Sequence, residues 1–146
     1  MTCAQAEKLM QDKHFLVVED NTVNQLVIKS ILRKWKGVSF DFANHGLEAL
    51  EAMKTKAYDV VLMDLQMPEM DGYEATSIIK NDDRFSTIPL IIISALSDIE
   101  AITKGLKIGA NEYLTKPYDV IEFGLRVKNA IKLGAYQNMI NDHKNV

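Results

Sequence analysis

Three short apolar runs constrain the fold of this chain more than any other feature. Each run is too short for a helix, and each is followed at once by a polar side chain. Runs of this kind are typical of strands buried on both faces, which occur almost only in parallel sheets covered by helices. The runs span residues 15–18, 60–63 and 90–93, and the residues that follow them are Glu19, Asp64 and Ser94.

The segments between these runs carry the pattern of helices. Apolar residues recur at helical spacing most clearly in residues 22–36, where polar residues separate them. Asp98 is a suitable helix N-cap, and Gly37 and Gly109 follow predicted helix ends. We therefore predict five helices, over residues 22–36, 47–54, 73–81, 98–108 and 120–135.

Two further segments are typical of strands. Residues 38–42 alternate between polar and apolar side chains, as a half-exposed strand does, and residues 112–115 form a short candidate. Strands that alternate with helices in this way predict a single (βα)5 domain of the α/β class, with a five-stranded parallel sheet. Fully apolar strands belong at the centre of such a sheet and the other two at its edges. The flavodoxin-like, doubly wound order 2-1-3-4-5 meets this condition.

The two ends of the chain carry weaker patterns, and we place the domain at residues 14–136. Residues 1–13 are polar and rich in alanine, which fits a short helical arm, a linker or a disordered segment equally well. Residues 137–146 are polar and are expected to fray as a C-terminal tail.

Composition argues against several classes of function. The chain has 146 residues and a net charge of −3, which argues against a general binder of nucleic acids or membrane surfaces. Cys3 is the single cysteine, so no intrachain disulfide or cysteine-rich metal site can form. No apolar run approaches the roughly 20 residues that span a bilayer, and the first residues lack the apolar core of a signal peptide. These features predict a cytoplasmic protein.

Polar side chains end the predicted strands at one edge of the sheet. The chain reverses direction between the first and third strands, and ligands bind beside such a point. Three crowded carboxylates there would repel one another unless a cation such as Mg²⁺ neutralised them. Asp64 could then attack phosphorus, Lys116 could balance the developing charge, and Ser94 could donate a hydrogen bond. The residues at these strand ends are Glu19, Asp20, Asp64, Ser94 and Lys116.

Each of these residues also has an ordinary structural explanation. Glu19 and Asp20 could cap the following helix, and Asp64 could belong to a turn. Ser94 could be a loop hydroxyl and Lys116 part of a surface turn. Their coincidence at one edge of a sheet that is derived without them favours a shared site.

Four motifs give the chain a specific resemblance. They are VVEDN at 17–21, VVLMDLQMPEMDG at 60–72, IIISA at 91–95 and YLTKP at 113–117. On these motifs the chain resembles the response-regulator receiver domains of two-component signalling, over residues 15–135. The segments EDNTVNQ and DLQMPEMDGYEAT are most similar in sequence to those of receivers attached to hybrid sensor histidine kinases, although free-standing receivers share them.

The resemblance implies a role for each residue of the site. Glu19 and Asp20 would form the acidic pair that holds Mg²⁺, and the backbone carbonyl of Gln66 would be a further metal ligand. Asp64 would be the phosphoacceptor, itself in contact with the metal. Lys116 would bind the phosphoryl group.

The resemblance also implies a switch. Ser94 would move towards the phosphoryl group, and Tyr113 would turn inward into the space that Ser94 vacates. Pro117 follows Lys116 where the family usually has a cis peptide bond. These movements would remodel the face made by the fourth helix, the fifth strand and the fifth helix, through which two copies could also pair.

The implied partners are proteins rather than nucleic acids or membranes. A phosphohistidine on a sensor histidine kinase or on a histidine phosphotransfer domain would donate to Asp64. Val23 and Leu26, apolar residues beyond the stripe that the first helix needs, could dock the donor. The chain would be a signalling domain, not an enzyme, that promotes its own phosphoryl transfer and aspartyl-phosphate hydrolysis.

Three other functions fit the same fold less well. A phosphatase of the haloacid-dehalogenase type needs a second aspartate two residues after the nucleophile, where this chain has Gln66. A flavin or nucleotide binder needs a phosphate-cradling loop after the first strand, but EDNTVNQ contains no glycine. A binding module that works without phosphorylation stays open, since site residues can be present without being used.

Overall fold

The computed structural model describes residues 11–65 and 71–144, with side chains of the last helix described up to residue 132. This part of the chain forms a five-stranded parallel sheet of order β2-β1-β3-β4-β5, which confirms the predicted order. The strands are β1 His14–Val18, β2 Ser39–Ala43, β3 Val60–Asp64, β4 Leu90–Ser94 and β5 Glu112–Thr115. The helices are α1 Thr22–Leu32, α2 Gly46–Thr55, α3 Gly72–Asn81, α4 Ile99–Lys107 and α5 Val120–Lys144.

Two layers of helices cover the sheet. Successive side chains of a strand point to opposite faces, so Leu16 and Val18 pack in one apolar cluster and Phe15 and Val17 in the other. The first cluster is completed by side chains of α2, α3 and the α4–β5 region, and the second by side chains of α1 and α5. Every residue of β3 and β4 is buried, as expected for central strands.

Side-chain caps fix where the helices begin. Asp98 Oδ1 accepts a hydrogen bond from the Ala101 backbone N–H at 2.7 Å, which confirms the predicted cap of α4. Asn21 and Asp71 cap α1 and α3 in the same way. At α2 the cap is the imidazole of His45, whose Nδ1 lies 3.2 Å from the Glu48 backbone nitrogen. Both helices that follow the central strands β1 and β3 therefore begin at defined positions near the edge of the sheet.

Two helices differ in length from the prediction by more than two residues. The first helix ends at Leu32 and not at residue 36, because the chain turns there through backbone bonds from Lys34 to Ile31 and from Trp35 to Leu32. The turn directs Trp35 against aromatic rings of the core. Its last residue, Gly37, has a φ of 77°.

The last helix continues beyond the predicted end at residue 135. It runs to Lys144 through most of the predicted polar tail. The segment 136–144 contains neither proline nor glycine, so it has no residue that strongly disfavours a helix. Most of the predicted N-terminal arm, residues 1–10, lies outside the described residues. No helix of the described part is long and apolar enough to cross a membrane.

Candidate functional site

Three carboxylates meet where β1 and β3 end. The parallel register pairs Val18 with Met63, so Glu19, Asp20 and Asp64 emerge at the same edge. One ligand oxygen from each of the three lies within 4.8 Å of the others. Glu19 and Asp64 are buried, whereas Asp20 is exposed. The three residues that the sequence places at this edge are therefore brought together.

The Glu19 carboxylate is in an unfavourable environment for a charged group. Its side chain is 2% exposed, and in residues 11–65 and 71–144 neither of its oxygens has a hydrogen-bond partner. Burial raises the pKa of Glu19 to about 8, and the neighbouring Asp64 carboxylate adds to the rise, whereas Asn24 and Lys116 lower it in part. A buried acid that lacks donors is what a bound cation would satisfy. The oxygen-only donor set of the cluster fits Mg²⁺.

Lys116 provides the positive charge nearest to the cluster. Its Nζ lies 3.8 Å from Glu19 Oε1 and 3.8 Å from Asp64 Oδ1. The residue follows β5, and its backbone N–H donates to the Ser94 carbonyl at 2.8 Å, which ties the ends of β4 and β5 together. The peptide bond between Lys116 and Pro117 is cis, as the resemblance implied.

The two predicted switch residues contact the same residue of the β4–α4 loop. Ser94 is buried at the end of β4, and its Oγ accepts a hydrogen bond from the Leu96 backbone N–H at 3.1 Å. The Tyr113 hydroxyl donates to the Leu96 backbone oxygen at 2.7 Å. Main-chain atoms of Leu96 therefore connect Ser94 with Tyr113.

Tyr113 already occupies an inward position, whereas the resemblance implied a ring that turns inward only when the domain is phosphorylated. Its side chain is 6% exposed, so the ring is buried although it lies on an edge strand. The reason is the close approach of α4: a Cβ atom on Gly105 would lie 3.1 Å from Tyr113 Cδ2. The helix passes over the ring because glycine leaves room for it.

Three residues near the cluster escaped the sequence analysis. The Gln25 side chain donates from Nε2 to the Glu19 backbone oxygen at 2.5 Å. Tyr118 lies close enough to Glu19 that burial and the Glu19 charge raise the pKa of its hydroxyl to about 12. Gly72, at the start of α3, is packed so tightly that a Cβ atom there would clash with the Asp64 backbone oxygen. A polar residue in the helix turn after an acidic strand end was the available signal for Gln25.

The backbone carbonyl of Gln66, the predicted fourth protein ligand of the metal, lies outside the described residues.

Known proteins with similar sequences and folds identify the family of this chain. A family model described as the response regulator receiver domain matches residues 15–128. The chain therefore belongs to the response regulator receiver family, the receiver domains of two-component signalling systems.

Its relatives include both transcription regulators and kinases. The chain is 38% identical over 116 residues to the transcriptional regulatory protein ZraR of Klebsiella oxytoca, covering 80% of this chain and 26% of ZraR. It is 39% identical over 113 residues to hybrid signal transduction histidine kinase B of Dictyostelium discoideum, covering 70% of this chain and 6% of the kinase. The chain thus spans only a small part of the length of these curated relatives.

A solved structure with a metal ion has the same fold. The receiver domain of sensor histidine kinase PA1611 from Pseudomonas aeruginosa superposes with a TM-score of 0.75 at 32% identity, over 82% of this chain and 98% of that one. In that structure a magnesium ion is coordinated in the active-site cleft.

Proposed function

We propose that Asp64 accepts a phosphoryl group from a phosphohistidine, with Mg²⁺ held by Glu19, Asp20 and Asp64. The observation that carries the proposal is the grouping of three carboxylates within 4.8 Å beside an ammonium group that lies 3.8 Å from two of them. The Gln66 carbonyl is proposed as an additional ligand. Mg²⁺, when bound, neutralises charge on the carboxylates and on the transferred group.

The transfer exchanges one bond to phosphorus for another. An Asp64 oxygen forms the new bond while the bond to the histidine nitrogen breaks, and the bonding electrons leave with the imidazole. Lys116, already directed at Asp64, faces the negative charge that the phosphoryl oxygens carry. The Ser94 hydroxyl donates to one of those oxygens. Water attack on the same phosphorus then breaks the bond between phosphorus and the Asp64 oxygen, which releases inorganic phosphate and returns the carboxylate; this is the self-hydrolysis that we propose for this domain.

The switch that we propose uses the Leu96 main chain. When the Ser94 hydroxyl turns to a phosphoryl oxygen, its bond to the Leu96 N–H at 3.1 Å is weakened. Tyr113 is bonded to the same residue and packs under α4, so the change reaches the α4–β5–α5 face.

The partners that we propose are proteins. A sensor histidine kinase or a histidine phosphotransfer domain would donate, docking at α1, where Val23 and Leu26 are 67% and 59% exposed. Exposed Ile99 and Leu106 on α4 support output through that face, including pairing with a second copy. No direct contact with nucleic acid or membrane is proposed, in line with the mild negative charge. The proposed compartment is the cytoplasm, which suits a chain with a single cysteine.

Intact mass spectrometry after incubation with acetyl phosphate tests the acceptor. We expect one phosphoryl adduct that requires Mg²⁺, is absent in Asp64→Asn and persists in Asp83→Asn, a control that removes an exposed carboxylate far along the chain. A phosphohistidine-bearing phosphotransfer domain is the second donor. An adduct that survives in Asp64→Asn, or no adduct with either donor, would refute the proposal.

A further inference from the structure

Gln25 reaches back from the first turn of α1 to the acidic turn of the site, Glu19 and Asp20. Its backbone N–H donates to the Asn21 carbonyl at 3.0 Å, which fixes the residue in the first helical hydrogen bond. Its side chain also reaches towards the chain that precedes the helix, and Nε2 lies 2.5 Å from the Glu19 backbone oxygen. A side chain of the helix thus holds the main chain of a proposed metal ligand.

The position of Glu19 depends on such main-chain contacts. Its carboxylate is buried and has no hydrogen-bond partner among the described residues, and the Lys116 ammonium approaches it only to 3.8 Å, so side-chain contacts hold it weakly. The Glu19 backbone N–H donates to the Ala43 carbonyl at 2.9 Å, and the Glu19 carbonyl accepts from Gln25. The first of these bonds joins two main-chain groups. The second is the one that a side-chain substitution can remove.

The same amide group also contacts the neighbouring β2–α2 loop. Gln25 Nε2 lies 3.3 Å from Asn44 Oδ1, and Asn44 Nδ2 lies 3.5 Å from Glu48 Oε2. Gln25 therefore connects the acidic turn after β1 to the loop that follows β2, and through it to the first turn of α2. A turn that is held from two sides moves less when the charge beside it changes.

We propose that Gln25 is a positioning residue for the metal site: it holds the Glu19 main chain so that the Glu19 and Asp20 carboxylates are preorganised for a divalent cation, and Asn44 holds Gln25 in that orientation. The inference rests on the proposed function, because it concerns the affinity of the same carboxylates for Mg²⁺. Residues that orient metal ligands typically change metal affinity 10- to 100-fold when they are removed.

Mg²⁺ titration of the purified chain by calorimetry tests the inference without any phosphoryl transfer. Gln25→Met keeps the length of the side chain and removes its donor, and we expect about tenfold weaker Mg²⁺ binding, at the lower end of that range. Ser30→Ala is the matched control, since it also deletes a side-chain hydrogen bond within α1, from Ser30 Oγ to the Val27 carbonyl. Its Mg²⁺ affinity should equal that of the parent. Melting in EDTA reports the structural cost of each variant separately.

A second readout separates positioning from general damage. With acetyl phosphate as donor, Gln25→Met should need more Mg²⁺ for half-maximal phosphorylation but reach nearly the parental rate at saturation. Asn44→Leu should weaken Mg²⁺ binding severalfold, and it carries the test if Gln25→Met does not fold. The double variant should bind no more weakly than Gln25→Met, because Asn44 acts through Gln25.

The outcomes are distinct. Equal Mg²⁺ affinity in Gln25→Met, Ser30→Ala and the parent overturns the inference and leaves the proposed function standing. Additive losses in the double variant overturn the part assigned to Asn44. A parent chain that neither binds Mg²⁺ nor accepts a phosphoryl group overturns both the inference and the proposed function.

Discussion

The carboxylates at the edge of the sheet repel one another, and their charges are only partly balanced. Lys116 lies 3.8 Å from both Glu19 and Asp64, which is beyond ordinary hydrogen-bond distance. Glu19 has a pKa of about 8 because burial and the Asp64 charge both oppose its ionisation. The site is therefore arranged to bind a cation. Without a bound cation, the repulsion between its carboxylates lowers the stability of the fold.

Substitution of Asp64 should relieve this repulsion. In EDTA at a pH above 8, where Glu19 is ionised, we expect the unfolding free energy of Asp64→Asn to exceed that of the parent by about 1 kcal/mol, and its melting temperature to be higher, since one of the opposing charges is gone. Thermal unfolding followed by circular dichroism measures the change, with Asp83→Asn as the charge-matched control. A lower melting temperature would show that the pair with Lys116 outweighs the repulsion.

A second cluster of polar side chains lies at the other end of the sheet. Asp41 Oδ2 accepts from His14 Nε2 at 3.0 Å, from the Tyr58 hydroxyl at 2.8 Å and from Lys56 Nζ at 3.2 Å. Hydrogen bonds from these donors, of which the one from His14 has the largest effect, lower the pKa of Asp41 to about 2. Because the folded pKa lies below the unfolded one, Asp41 stabilises the fold above pH 3.8, and this contribution is lost as the pH falls through about 2.

Asp41→Asn should therefore destabilise the chain in a pH-dependent manner. We expect its urea midpoint to lie below that of the parent near neutral pH, and the gap to close as the pH falls below 3.8. Denaturation series at several pH values, with Asp83→Asn alongside, measure it. A gap that is the same at every pH would mean that Asp41 contributes by packing and not by charge.

At the scale of elements, α1 has two functions on two faces. Ile28 and Ile31 pack in the core beneath it, while Val23 and Leu26 face solvent near the carboxylates. Because both are exposed, the proposed phosphohistidine donor would meet an apolar surface on this helix.

Replacement of an exposed residue of α1 should separate the two kinds of donor. We expect Val23→Glu or Leu26→Glu to slow transfer from a phosphotransfer domain at least tenfold and to leave the rate with acetyl phosphate unchanged, because the small donor needs no docking surface. Parallel phosphorylation time courses measure both rates. Ile78→Glu, on the exposed face of α3, is the control. Equal slowing with both donors would exclude docking at α1.

The elements also show what a sequence can predict. The order of the strands followed from the contrast between the fully apolar residues 60–63 and 90–93 and the alternating residues 38–42. Such a contrast is visible in the local sequence, because a strand that is buried on both faces is apolar throughout. The cap at Asp98 followed for the same reason. The end of α1 at Leu32 was not predictable, since it depends on packing of Trp35 against distant rings.

The residues of the site also divide into those that the local sequence predicts and those that depend on distant contacts. Strand ends placed Asp64 correctly, because neighbouring parallel strands end at one edge. The role of Gln25 was missed because it depends on how its side chain folds back to the Glu19 main chain. The inward position of Tyr113 was missed because it depends on the close approach of α4 at Gly105.

For the molecule as a whole, metal binding and folding are linked through Glu19. Its folded pKa of about 8 exceeds the ordinary value of 4.5, so the metal-free fold has its full contribution from Glu19 below pH 4.5 and loses it as the pH rises through 8. Mg²⁺ binds the ionised carboxylate, and a ligand that binds only the folded state stabilises it.

The gap between melting temperatures in Mg²⁺ and in EDTA should therefore widen as the pH rises. We expect a small gap near pH 6 and a larger one near pH 9, because protons compete with the metal for Glu19 at the lower pH. Scanning calorimetry across this range measures it. Asp64→Asn should show a smaller gap at every pH. A gap in the parent that does not change with pH would contradict the link between metal binding and the ionisation of Glu19.

The contacts of Leu96 have a consequence for how such a domain can diverge. Ser94 and Tyr113 are joined through the amide and carbonyl of this residue, atoms that every amino acid except proline provides. Its side chain takes no part in those two bonds and is 38% exposed. Substitutions at position 96 can therefore change the exposed side chain there while both main-chain hydrogen bonds that join Ser94 to Tyr113 are retained.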